Sequence, residues 1–158
     1  MKMRKYFATL VVITCGLVSC TKESTQPATI IEAENSTEIE QELLNTVNEH
    51  RVSIGKNVLQ FDTSVYTHAN AHTDYMIAKG AISHDNFTAR ASAISKETAA
   101  EFVAENVAKD YANATQAFQG WLNSTNHKRT MEGEFTHTAV SVKKDDLGNL
   151  YFTQIFYR

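Results

Sequence analysis

Cysteine is scarce and badly placed for cross-linking. The 158-residue chain has two, Cys15 and Cys20, both near the N-terminus. The remainder therefore has no thiol for a disulfide, a cysteine-ligated metal or a nucleophilic cysteine, and its stability must come from packing. Proline occurs once and glycine six times, which with the lack of any repeat excludes a low-complexity or collagen-like chain. Basic charge is also short: 15 Lys+Arg against 18 Asp+Glu, a net charge of −3. That balance argues against a nucleic-acid partner, which would need a basic face. No HExxH helix, nucleophile elbow or recognisable set of oxyanion donors is present. No apolar run reaches the roughly 20 residues that span a bilayer.

The longest apolar run, Tyr6 to Val18, follows the basic residues Lys2, Arg4 and Lys5 and ends in Leu17-Val18-Ser19-Cys20. Its length suits an export signal. The ending resembles the lipobox of bacterial lipoprotein precursors, which implies a signal peptide over 1–19 and a lipid on Cys20; an ordinary secretory signal with an incidental cysteine is the plainer alternative. Thr21, where Asp would retain the protein at the inner membrane, implies by the same resemblance the outer membrane of a Gram-negative envelope. Loss of 1–19 would bring the charge to about −6 and leave a length usual for one domain. Residues 20–36, polar and holding Pro27, read as a flexible tether. Sequons at Asn35, Asn86, Asn113 and Asn123 read as chance in a chain rich in Asn, Ser and Thr.

The domain is expected over 37–158. Thr37 and Glu40 have capping-box spacing, and Ile39, Leu43, Leu44 and Val47 form a helical apolar stripe that ends near Gly55. Leu59–Phe61 reads as a short extended piece. Asp62 is positioned to cap a second helix that stops at Gly80, with Val65, Ala69, His72 and Met76 inward. A short helix is expected over 88–96, an extended or irregular stretch near Val103, and one long helix from Ala114 to about Asn126 with Phe118, Trp121 and Leu122 inward. Thr136–Lys143 and Leu150–Tyr157 are β-prone and separated by the turn-rich Asp145-Asp146-Leu147-Gly148-Asn149. Helices first and strands last give an α+β class, helices packed on a small antiparallel sheet.

Six histidines stand in this stretch: His50, His68, His72, His84, His127 and His137. His68 and His72 share a helix face at i, i+4, but no Glu follows His68, and the simpler reading is one exposed ring and one buried, hydrogen-bonded ring. His127-Lys128-Arg129 reads as a solvated helix end. His84, Glu105 and His137 are isolated by spacing alone.

A series of motifs gives those three a common context. Asn48-Glu49-His50-Arg51, Leu59-Gln60-Phe61-Asp62, Ala69 to Met76, Ser83-His84, Ala104-Glu105-Asn106-Val107-Ala108, Gly120-Trp121-Leu122-Asn123-Ser124 with His127-Lys128-Arg129, and Tyr151-Phe152-Thr153-Gln154 together resemble, in order, the motifs of CAP domains. This is the superfamily of cysteine-rich secretory, antigen 5 and pathogenesis-related 1 proteins, here in its bacterial, SCP-like branch. The resemblance covers roughly 38–158. It implies an α-β-α sandwich and a cleft of two His and two Glu, onto which His84, Glu105 and His137 carry over. Ser124 stands where the second Glu would be, and Glu132 and Glu134 lie near enough in sequence to compensate. Two imidazoles and a carboxylate suit Zn²⁺ or another divalent cation with an open position for water, and Glu105 is the general base if there is catalysis. The resemblance implies binding of a lipid, sterol-like or peptide ligand more than turnover. Three readings stay open at this point: an envelope-anchored binding protein, a metal-dependent envelope hydrolase using the same cleft, and a non-catalytic structural or interaction protein in which the three residues form a buried polar network.

Overall fold

The structure, a computed structural model, describes residues 32–158. The expected signal over 1–19, Cys20 and the tether up to residue 31 lie outside the described residues. Five helices and four strands follow in the order α1 (Thr37–Ser53), β1 (Gln60–Phe61), α2 (Thr63–Lys79), α3 (Phe87–Thr98), β2 (Val103–Lys109), α4 (Ala114–Leu122), α5 (Thr125–Met131), β3 (His137–Lys144) and β4 (Leu150–Tyr157). The class is α+β, as expected.

The sheet runs β1-β3-β4-β2. β3, β4 and β2 are antiparallel neighbours, whereas β1 lies parallel to β3. The expectation of a purely antiparallel sheet is thus corrected to a mixed one. α1 carries the chain away before β1 enters, and a two-residue strand at the edge is free to pair in either sense. β4 is buried along its whole length, because helices cover both faces of the strand at the centre; this is why Leu150–Tyr157 reads as a nearly unbroken apolar run instead of an alternating one.

Two cores result. Leu43 and Val47 of α1, Phe118 and Trp121 of α4 and Met131 of α5 pack on Val140, Val142, Phe152 and Phe156. On the other face Val65 and Ala69 of α2 and Ile94 of α3 pack on Ala139, Ile155 and Tyr157. The inward stripes expected of α1 and α2 are the ones buried. Asp62 accepts from Ser64 N, and Gly80, at φ 72°, closes α2 in the left-handed conformation that glycine adopts without penalty.

Three local expectations fail. The long helix from Ala114 breaks at Asn123–Ser124, where Ser124 turns extended and starts α5. Thr37 is not the cap of α1; Ser36 holds that position without a side-chain bond, and Glu40 bonds instead to Val142 N, Asn35 Nδ2 and Tyr66 OH. Residues 33–36, placed in the tether, are fastened to the domain: Ala33 N donates to Asp74 Oδ1, Asn35 Nδ2 to Asn70 Oδ1, and Ser36 N to Val142 O. No helix among the described residues is long and apolar enough to cross a membrane.

Candidate functional site

Strand β2 brings Glu105 to the sheet face covered by α2 and α3. The residue opposes Ile155 and its side chain is 1 % exposed. An ionised carboxylate so deeply placed demands partners, and three arrive from three elements. Arg90 of α3 grips it with two parallel bonds, Nε to Oε2 at 2.8 Å and Nη2 to Oε1 at 2.8 Å, the bidentate geometry that a planar guanidinium makes best. His84, in the loop between α2 and α3, places Nδ1 2.9 Å from Oε1. His72 of α2 comes within 3.5 Å of the same oxygen.

The histidine protons follow from these partners. A carbonyl only accepts, so His72 Nε2, 2.7 Å from Ser83 O, carries a hydrogen. Burial holds this ring's pKa below the usual histidine value, with the Arg90 charge acting the same way, Glu105 opposing and the Ser83 bond opposing more weakly. His84 donates Nδ1–H to the carboxylate, so in its neutral form Nε2 keeps a lone pair, and the side chain is half exposed, at 52 %. His127 faces the same region from α5: burial first, and then the proximity of His84, lowers its pKa. The loop carrying His84 is pinned to α2 by Asp85, which accepts from Tyr75 OH and Lys79 Nζ, and its start is tied to β2 by Lys109 Nζ donating to Gly80 O.

Of the three residues matched to the cleft, then, His84 and Glu105 meet. His137 does not reach them. It opens β3 opposite Tyr157, two strands and two residues from Glu105, about 12 Å by sheet spacing. Its ring stacks on Tyr157 at 4.9 Å and its Nδ1 shares a hydrogen bond with Thr136 Oγ1. Glu132 and Glu134 do not compensate for Ser124: they bind His50 and Lys56. His68 pairs with Glu97, and His72 is the buried, satisfied member of that helical pair. Trp121 is core, its Nε1 donating to Val107 O. Arg90 and the contribution of His72 to Glu105 were missed from sequence. Arg90 lies in no motif, and the only available signal was a lone basic residue near the start of an expected short helix.

These donors do not fit the divalent cation expected at His84, Glu105 and His137. Both Glu105 oxygens already accept from a guanidinium. His84 turns the nitrogen nearest Glu105 towards it as a donor, and the one lone pair left free points elsewhere. His137 is engaged across the sheet. No group of three or more His, Cys, Asp or Glu positioned to hold a metal occurs among the described residues. One surface depression, lined by Ile54, Lys56, Leu122, Arg129 and Glu134, lies away from the site.

Comparison with known proteins agrees with this architecture. Residues 44–156 match the family described as CAP, the cysteine-rich secretory protein family. An uncharacterized membrane protein of Bacillus subtilis (strain 168) is 27 % identical over 124 residues, 75 % of this chain but 34 % of the relative, so the chain spans about a third of that protein's length. Among solved structures, an extracellular protein containing a SCP domain from Bacillus anthracis (strain Ames) superposes with a TM-score of 0.68 at 25 % identity, over 77 % of this chain and 41 % of the other. An outer surface protein of Borrelia burgdorferi superposes with a TM-score of 0.72 at 18 % identity, over 80 % and 96 %, which speaks for the fold alone. With the sandwich, the ordered motifs and the matched span in agreement, the chain belongs to the CAP, or cysteine-rich secretory protein, family.

Proposed function

We propose that this protein is a non-catalytic binding domain displayed outside the cytoplasm and tethered through a lipid on Cys20, in the outer membrane if Thr21 acts as the sorting residue. The site takes a small ligand with an apolar body and a hydrogen-bond donor, a sterol-like alcohol being the simplest such molecule. Support for display comes from the export-signal pattern at the N-terminus, and from relatives described as an extracellular protein, an outer surface protein and a membrane protein.

One observation carries the reading of binding over hydrolysis: the only deeply buried carboxylate at the site has both oxygens committed to Arg90. A general base needs a lone pair and the basicity to remove a proton, and here Arg90 and His84 hold three of the carboxylate's roughly four lone-pair sites, with a guanidinium neutralising its charge in place. What faces outward is His84, with Nε2 available as an acceptor. Ile82, two residues away on the same loop, is 51 % exposed and offers apolar contact.

The test is a titration of the labelled protein with cholesterol, a fatty acid and a short peptide, following the His84 ring by NMR, beside assays for peptide and ester cleavage. The reading requires a saturable shift at His84 with the sterol, lost in His84→Ala, and no turnover. Turnover that Glu105→Gln abolishes would replace it with the hydrolase reading. Anchoring is checked separately by the mass of the N-terminal peptide and by release of Cys20→Ser into the soluble fraction.

A further inference from the structure

We propose that Arg90 is a built-in cation that stands in the place of a metal ion, so that the site is complete without metal and the guanidinium actively excludes one. Glu105 is a carboxylate 1 % exposed, and such a group must be neutralised where it sits. A divalent ion bound there would do this from about 2 Å. Arg90 does it through two bonds of 2.8 Å, one to each oxygen, and its own side chain is only 10 % exposed.

The two modes of neutralisation are mutually exclusive. A cation bound to either Glu105 oxygen would sit within about 4–5 Å of guanidinium nitrogens in a low-dielectric site, where like charges repel strongly. It would also compete for the lone pairs that Arg90 and His84 Nδ1 occupy. The remaining nearby imidazole, His72, has its Nε2 turned to Ser83 O. Arg90 is held in position independently of Glu105, with its guanidinium 5.9 Å from the Phe87 ring centroid and Nη1 directed at Asp85 O. These contacts orient the guanidinium beside the carboxylate. The same contacts make the ion pair the main polar link between α3 and the sheet. Remove the guanidinium and the Glu105 carboxylate is left unneutralised beside the imidazoles of His84 and His72, which a cation could recruit in exchange for their present hydrogen bonds.

The experiment is calorimetric Zn²⁺ titration of the full chain in detergent at neutral pH, comparing wild type, Arg90→Gln, Glu105→Gln and the double variant Arg90→Gln/Glu105→Gln. Wild type is expected to bind no tighter than roughly 100 µM at this site. Arg90→Gln is expected to gain at least about tenfold, and the double variant to lose the gain. Micromolar binding by wild type that Glu105→Gln abolishes overturns the proposal, as does an Arg90→Gln variant that folds and gains nothing. Should Arg90→Gln fail to fold, wild type alone decides. The Arg90 Nε–H resonance is expected to be unchanged by one equivalent of Zn²⁺, and its displacement or broadening overturns the proposal. Ligand binding is read separately, so the failure of one proposal leaves the other standing.

Discussion

His72 illustrates how a single side chain couples the site to pH. Its ring is buried, donates to Ser83 O and stacks on Tyr75 with centroids 5.9 Å apart. Burial favours the neutral form and sets the folded pKa below 6.5. The unfolded chain therefore binds the proton more readily than the folded one, so stability is full above about 6.5 and falls as the pH drops towards the folded value. His127, lowered by burial and by His84, adds a contribution of the same sign. The urea midpoint should accordingly fall between pH 7 and pH 5, less steeply in His72→Gln, and the NMR titration midpoint of His72 should lie below 6.5. A midpoint at or above 6.5 would contradict the reading. Arg51 is buried in the opposite way, as a fully enclosed cation that donates to Met131 O, Gly133 O and Phe135 O. It organises the turn between α5 and β3 from the end of α1. The Asn-x-x-Arg motif made Arg51 visible in the sequence; nothing there says that its partners lie some 80 residues away.

At the scale of the element, α3 is the part most dependent on its surroundings. It buries Ile94 alone among its own residues, and it is bracketed by two non-glycine residues in the left-handed conformation, Asn86 and Ala99, both at φ 58°. Asn tolerates that region, whereas Ala is penalised there by Cβ against the backbone. Ala99→Gly should therefore stabilise the protein by about 1 kcal/mol, less what glycine costs in unfolded-chain entropy, seen as a raised urea midpoint at unchanged slope; a lowered midpoint would mean that the backbone at Ala99 is not strained. The sequence placed α3 within two residues, because polar and small residues flank it. It could not say that α3 delivers the cation for Glu105. The single long helix expected after Ala114 failed for a related reason: helical spacing continues through Asn123–Ser124, and the break that lets α5 turn under β2, with Asn106 Nδ2 donating to His127 O, is a tertiary requirement.

Across the whole molecule, the segment before α1 acts as a strap. Asp74 and Lys143 form an ion pair of 2.6 Å that is almost fully buried, and Ala33 N supplies Asp74 with a further donor. Asn35 bridges Glu40 and Asn70 and makes an isolated β-bridge to Lys143. A form of the protein beginning at Thr37 keeps the Asp74–Lys143 pair but loses the bonds of Ala33, Asn35 and Ser36, and leaves buried acceptors short of donors. At about 1 kcal/mol per hydrogen bond, it should be less stable than one beginning at Glu32 by roughly 2–4 kcal/mol in urea unfolding; a difference below about 0.5 kcal/mol would show the strap to be ornamental to stability. The strap thereby joins the start of α1 to both α2 and β3.

The sequence by itself determined what depends on local periodicity and on chemistry carried by one residue: the helical stripes of α1 and α2, the Asp62 and Gly80 ends of α2, the hairpin of β3 and β4, and the α+β class. Only the tertiary structure decided the rest. The parallel pairing of β1, the separation of His137 from Glu105, and the arrival of Arg90 and His72 around one carboxylate all depend on distances between residues far apart in the chain. A hydrophobic period says which face of an element is buried, but not which neighbour it meets there. The charge that neutralises a buried carboxylate is chosen by that neighbour, and here it is a guanidinium from α3.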